Sequence, residues 1–155
     1  MTNTLVNTDR ESSQLESGAT TLQRTAPKRL LVVEDNDLNR LMLDDYLIFY
    51  GYQVLSLDNG ANFFEQVVSF QPHLILLDLK LPDIDGYVLL KQLQLNPQLQ
   101  DIPVIVVSAF AFRADRQRAF NLGARQYFTK PVNLSDLRQA INGEISNCST
   151  EKISS

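Results

Sequence analysis

A single cysteine, Cys148, means that no intrachain disulfide can staple this fold, so its stability has to come from a packed core. No histidine or lysine motif accompanies Cys148, which makes it a poor candidate for a reactive thiol. No apolar run approaches the roughly 20 residues of a membrane span, and the first residues lack the basic-then-apolar order of a secretory leader. Positive charge is in deficit. Lys and Arg number 14 against 18 Asp and Glu, a net charge of -4, which argues against binding nucleic acid through a broad basic surface. Internal repeats are absent as well. These absences predict a cytoplasmic protein with neither nucleic acid nor membrane as partner, and an acidity suited to small cations and basic partners.

What is there is enough for one ordinary domain: 155 residues, 44% of them hydrophobic and 21% charged. Residues 1–27 are rich in Thr, Ser, Asn, Gln and Glu, with isolated Leu5, Val6, Leu15 and Leu22. So little apolar surface does not offset the entropy of ordering, and a disordered tail is expected. A short helix near Ser13 to Leu22 and a docking peptide are the alternatives for this stretch. The domain is expected over residues 28–147, followed by a short C-terminal tail at 148–155.

From Lys28 the pattern is periodic. Arg29 to Val33 reads as a buried strand ending in Glu34-Asp35, and the next helix places Leu43, Tyr46, Leu47 and Tyr50 at i, i+3, i+4 and i+7 before Gly51 stops it. Tyr52 to Leu57 alternates like an edge strand, and Phe64, Val67 and Val68 mark a second helix. Leu74-Ile75-Leu76-Leu77 then runs without alternation into Asp78, as in a strand covered on both faces. A third helix carries Gly86, Leu89, Leu90 and Leu93 on one face. Pro103 to Val107 forms a fourth strand delivering Ser108. The helix from Ala111 to Leu122 has only a weak stripe of Ala119 and Leu122, which makes it the element best able to shift. Arg125 to Thr129 is a fifth strand ending at Lys130-Pro131. Asn133 caps a last helix with Leu134, Leu137, Ile141 and Ile145 turned inward. Five strand-then-helix units with right-handed crossovers predict an α/β fold, a doubly wound five-stranded parallel sheet flanked by five helices.

In such a sheet the ligand lies beyond the carboxyl ends of the strands, where the strand order reverses. Those ends carry Glu34 and Asp35, Asp78, Ser108 and Lys130. Three carboxylates on neighbouring strands repel unless a cation lies between them, and oxygen-only ligands with no His or Cys nearby select a hard ion, best Mg²⁺. Toward a phosphoryl group clamped by metal, Asp78 can act as nucleophile, with Lys130 and the Ser108 hydroxyl each pairing with one phosphoryl oxygen. Each residue taken singly has a plainer use. Asp78 can open the Leu81-Pro82-Asp83 turn, Asp35 can cap the following helix as well as bind metal, Ser108 can be a turn residue and Lys130 a solvated charge.

Glu34-Asp35, the apolar strand into Asp78, Leu81-Pro82-Asp83-Ile84-Asp85-Gly86, Ser108-Ala109, Gly123-Ala124 and Lys130-Pro131 together resemble the receiver domain of bacterial two-component response regulators. The match runs from about Lys28 to Ile145, and the separations agree: 43 residues from Asp35 to Asp78, 30 on to Ser108 and 22 on to Lys130. The resemblance implies a flavodoxin-like strand order 2-1-3-4-5. It implies that Asp78 takes phosphate from a phosphohistidine of a sensor histidine kinase or histidine phosphotransfer protein. Glu34, Asp35, Asp78 and the Lys80 backbone carbonyl then hold Mg²⁺, and Ser108 with Tyr127 forms a switch pair. Tyr127 as a plain core aromatic is the competing reading. Asp35-Asn36 with Asn39-Arg40 looks most like receivers of hybrid kinases and phosphorelays. Lys80 stands where a small polar residue or Met is more usual, and Phe110 is bulky beside Ser108, so an altered lifetime of the phosphoryl group is expected.

About ten residues follow Ile145, so a stand-alone receiver is expected, a monomer or weak phosphorylation-dependent dimer. It would signal to a downstream protein through the fourth helix, fifth strand and fifth helix, where Phe110, Phe112 and several Arg offer interface anchors. Two other classes remain. A phosphohydrolase with an aspartyl intermediate would want a second acid two residues past the nucleophile, where Lys80 stands. A receiver-like binding module would act without phosphate. For the receiver reading, self-catalysed phosphorylation and dephosphorylation are the most enzymatic activity expected.

Overall fold

Unbroken apolar runs become the inner strands, because each of their residues faces a helical layer on one side of the sheet or the other. The computed structural model describes residues 26–154, with side chains through Cys148. The elements are β1 (Arg29–Val33), α1 (Asp37–Phe49), β2 (Gln53–Leu57), α2 (Phe63–Phe70), β3 (Leu74–Leu77), α3 (Gly86–Leu95), β4 (Val104–Ser108), α4 (Arg113–Asn121), β5 (Gln126–Thr129) and α5 (Leu134–Ser154). All neighbouring strands are parallel, in the order β2-β1-β3-β4-β5. The strand order reverses between β1 and β3, as the doubly wound reading requires.

Alternation along β1 shows how the two cores are filled. Leu31 and Val33 join Ile75, Leu77 and Val106 beneath α2, α3 and α4, while Leu30 and Val32 join Leu74, Leu76, Ile105 and Val107 beneath α1 and α5. Leu43 and Leu47 anchor α1, and Leu137, Ile141 and Ile145 anchor α5. In α2 the inward pair is Phe63 and Val67, whereas Val68 is 62% exposed and Phe64 only partly buried. The stripe expected from Phe64, Val67 and Val68 is thus rotated by about one residue, an ambiguity that two adjacent phenylalanines create.

Helix starts follow side-chain acceptors where these exist. Asn36 Oδ1 accepts from Asn39 N (2.9 Å), Asp85 Oδ1 from Tyr87 N (2.9 Å) and Asn133 Oδ1 from Asp136 N (3.0 Å). Asp35 was expected to open α1. The cap is Asn36 instead, which leaves the exposed Asp35 carboxylate outside the helix. At α4 the cap position holds Phe112, which has no acceptor, so only the Asp115 carboxylate reaches back to the Phe112 amide (3.2 Å). Gly51 (φ +95°) and Gly123 (φ +102°) supply the left-handed turns after α1 and α4. The expected tail at 1–27 lies outside the described residues except for Ala26 and Pro27. Residues assigned to a C-terminal tail continue the α5 backbone to Ser154.

Candidate functional site

The carboxyl ends of β1, β3, β4 and β5 converge, and the residues singled out there meet. Asp78 follows β3 directly, its amide donating to Val33 O (3.0 Å), so β1 fixes where the acid stands. Glu34 is 2% exposed, Asp78 5% and Ser108 0%. Lys130 Nζ bridges the two buried acids, at 2.6 Å from Glu34 Oε1 and 2.8 Å from Asp78 Oδ2. The Lys130 amide donates to Ser108 O (2.8 Å), and the Lys130–Pro131 peptide is cis.

Three acids approach closely here. One carboxylate oxygen from each of Glu34, Asp35 and Asp78 lies within 4.8 Å of the others. One ammonium against three carboxylates leaves an excess of negative charge at the sheet edge. Oxygen donors without sulfur or imidazole, those of Glu34 and Asp78 buried and that of Asp35 exposed, suit a hard divalent ion, so the donor set fits Mg²⁺. Burial pushes the Glu34 carboxyl above its ordinary range, against opposing hydrogen bonds from Lys130 and the Asn36 amide. Burial by itself would lower the Lys130 pKa, but its hydrogen bonds to Asp78 and Glu34 outweigh that and raise it.

The loop after Asp78 is held by backbone contacts. Lys80 N donates to Asp78 Oδ1 (3.1 Å), and Gly86 N donates to Leu79 O (2.9 Å). A Cβ on Gly86 would stand 2.6 Å from Leu79 Cα and 2.8 Å from Asp78 O, so only glycine lets α3 start this close to the acid. Lys80 itself is exposed.

Phe110 links Ser108 to Tyr127. Its amide donates to Ser108 Oγ (3.1 Å), and its carbonyl accepts from the Tyr127 hydroxyl (2.7 Å). The Tyr127 ring is turned inward, 6% exposed, with the Arg116 guanidinium 5.6 Å from its centroid. Burial pushes the Tyr127 pKa up, and a smaller contribution from Ser108 opposes it.

Sequence reading missed several residues that shape this site. Asn36 caps α1 and donates its amide to Glu34 Oε2 (3.1 Å), and Arg40 donates to the Glu34 carbonyl (2.9 Å) while pairing with Asp37 (2.7 Å). The Asp35-Asn36 and Asn39-Arg40 pairs were visible, but only as a family likeness. A groove of about 340 Å³ opens beside the acids, lined by Asn39, Met42, Val132 and Leu134 along with Glu34 and Lys130.

Comparison with known proteins agrees with this geometry. The sequence model of the response regulator receiver domain matches residues 30–142. The polar-differentiation response regulator DivK of Brucella anthropi is 35% identical over 108 residues, covering 70% of this chain and 88% of that protein. Its counterpart in Brucella ovis is 34% identical over 107 residues, covering 69% and 87%. Among solved structures, a CheY-like receiver domain protein of Methanospirillum hungatei superposes with a TM-score of 0.75 at 28% identity, covering 81% of this chain and 98% of that one. The receiver domain of a signal transduction histidine kinase from Syntrophus aciditrophicus gives 0.72 at 30%, covering 77% and 91%. A parallel sheet ordered β2-β1-β3-β4-β5, acids and a lysine gathered at its carboxyl edge, and these matches have one meaning: the chain belongs to the response regulator receiver domain family.

Proposed function

We propose that this chain is a phosphoacceptor in a two-component system or phosphorelay, with Asp78 as the acceptor. The observation that carries the reading is the buried Asp78 carboxylate, 2.8 Å from Lys130 Nζ and within 4.8 Å of Glu34 and Asp35 oxygens. A carboxylate oxygen of Asp78 bonds to phosphorus as the bond to a donor histidine nitrogen breaks, and the leaving imidazole keeps the electron pair. The donor is a sensor histidine kinase or histidine phosphotransfer protein. Glu34, Asp35 and Asp78, with the Lys80 carbonyl, would hold Mg²⁺, which when bound neutralises phosphoryl oxygens. Lys130 pairs with one phosphoryl oxygen in place of part of its present contact with Asp78. Ser108 reaches another by giving up the Phe110 amide, and that exchange disturbs the Phe110 carbonyl on which Tyr127 rests.

Signal leaves through α4, β5 and α5, where Phe112 is 78% exposed. The receiver unit is residues 28–147, acting in the cytoplasm as a monomer or weak phosphorylation-dependent dimer. The test is incubation with magnesium and a small phosphodonor. A base-labile label is expected that is absent without the metal and absent in Asp78→Asn; a label that persists in Asp78→Asn defeats the assignment. Lys80→Asn and Phe110→Ala are each expected to change the decay rate of that label several-fold, because the Lys80 amide bonds Asp78 and the Phe110 amide bonds Ser108, which sets both residues beside the acceptor loops. Unchanged decay would remove them from the site.

A further inference from the structure

Arg40 belongs to a sequence feature, Asp35-Asn36 with Asn39-Arg40, that the chemistry of Asp78 leaves without a task. Side chains on a helix point back toward its N-terminus, so an arginine early in α1 reaches the residues that precede the helix. Arg40 does so with both arms of its guanidinium: Nη1 donates to the Glu34 carbonyl (2.9 Å) and Nη2 to Asp37 Oδ1 (2.7 Å). Its side chain is 21% exposed, whereas that of Asp37 is 89% exposed. An ion pair with so exposed an acid adds little to stability, so Asp37 does not account for a mostly covered arginine. The bond to the Glu34 carbonyl does.

Glu34 is gripped at four points. Its amide donates to Leu57 O (3.0 Å), Oε1 faces Lys130 Nζ (2.6 Å) and Oε2 accepts from the Asn36 amide (3.1 Å). Those three fix the amide and the carboxylate. The fourth, from Arg40, fixes the carbonyl and with it the plane of the peptide joining Glu34 to Asp35. Asp35 is exposed and takes its place from that peptide. Both residues contribute to the cluster whose carboxylate oxygens, with that of Asp78, lie within 4.8 Å of one another.

We propose that Arg40 is a positioning residue for the divalent cation: by holding the Glu34–Asp35 peptide it keeps those two carboxylates gathered with that of Asp78. The inference rests on the Mg²⁺ reading given above. Its effect has the opposite sign to that of the Arg40 charge. A guanidinium near the site repels Mg²⁺, and Asp37, Asp58 and Asp44 all act on that guanidinium, so removing the charge alone uncovers negative groups and tightens the ion. Removing the hold on the peptide loosens it. Loss of a partner that orients metal ligands typically weakens binding by about 10-fold or more, which is the larger of the two effects.

The experiment titrates the full chain with magnesium chloride and follows the Glu34, Asp35 and Asn36 amides by NMR, in the wild type, Arg40→Met and Asp78→Asn. Methionine keeps an apolar stem in the covered site and removes both the charge and the donors. Arg40→Met is expected to bind Mg²⁺ about 10-fold more weakly than the wild type, with the Asp35 amide displaced before any metal is added and the α3 leucine methyl signals in place. Binding by Arg40→Met as tight as the wild type, or tighter, overturns the proposal while leaving the metal site standing. Weaker binding accompanied by displaced α3 methyl signals overturns it as well, since Arg40 would then act on the whole fold. If the wild type takes up no Mg²⁺ and is indistinguishable from Asp78→Asn, the metal reading itself has failed and this inference falls with it.

Discussion

α3 and α4 lie on the same face of the sheet and flank the same acceptor loops, but different forces hold them. α3 buries Gly86, Tyr87, Leu89, Leu90 and Leu93, starts on the Asp85 cap and presses against the backbone after Asp78. α4 buries only Ala119 and begins at a phenylalanine that cannot cap it. What ties α4 down is polar. The Tyr87 hydroxyl donates to Asp115 O (3.1 Å), Arg118 stacks on the Tyr87 ring (3.9 Å) and Arg116 lies over Tyr127 (5.6 Å). Such contacts contribute about 1 kcal/mol each, against 1.5–3 kcal/mol or so for one buried leucine. The difference teaches that α3 is the fixed wall of the acceptor site and α4 the wall that can move.

The largest expected effect tests the wall that should not move. Leu90→Ala should cost about 2–5 kcal/mol in chemical denaturation, since nothing flexible can fill the space. Phe120→Ala on α4 should cost roughly 1–2 kcal/mol, because that ring is already 40% exposed. Equal losses would erase the contrast between the two helices.

The same contrast marks what could be read from sequence. α3 was legible because its apolar spacing is complete, and the strands because β1, β3 and β4 are unbroken apolar runs. The strand tips were legible for a related reason: a polar residue closing such a run has to sit at the sheet edge, so Glu34, Asp78, Ser108 and Lys130 had to come near one another. The ties on α4 were not legible. Phe110 acts through its amide and carbonyl and Tyr87 through a hydroxyl on a backbone oxygen, uses that residue type does not announce. Glu144 escaped for a similar reason. It reads as a solvated helix acid, yet it is buried on α5, bonded to Gln126 (3.0 Å) and near Arg125 (3.6 Å).

A smaller effect sharpens the comparison at the bridge. Tyr127→Phe removes the bond to the Phe110 carbonyl and leaves the ring, so global stability should fall by only about 1 kcal/mol. The loss should be local. Amide hydrogen exchange should quicken in α4 and in the loop at Phe110, while Leu89, Leu90 and Leu93 of α3 keep their protection. Uniform acceleration would mean that both helices open together.

The smallest effect needs no mutation, only alkali. Burial, the main cause in each case, raises the Tyr87 and Tyr127 hydroxyls above the ordinary tyrosine pKa. A folded pKa above the unfolded one means that the neutral form's contribution is fully present below the unfolded value, about 10, and is lost as the pH rises through the folded value. Both hydroxyls donate to backbone oxygens that hold α4 and its leading loop, and a phenolate cannot donate. Raising the pH past 10 or so should therefore loosen α4 while leucine packing still holds α3. Carbon-13 spectra of the tyrosine rings, recorded with α3 leucine methyl signals, should show Tyr87 and Tyr127 titrating late, with α4 shifts collapsing alongside them and the α3 methyls still in place. Simultaneous collapse of both sets would show that α4 has no separate opening, and its hydroxyl ties would then be part of one cooperative core rather than the hold on a movable wall.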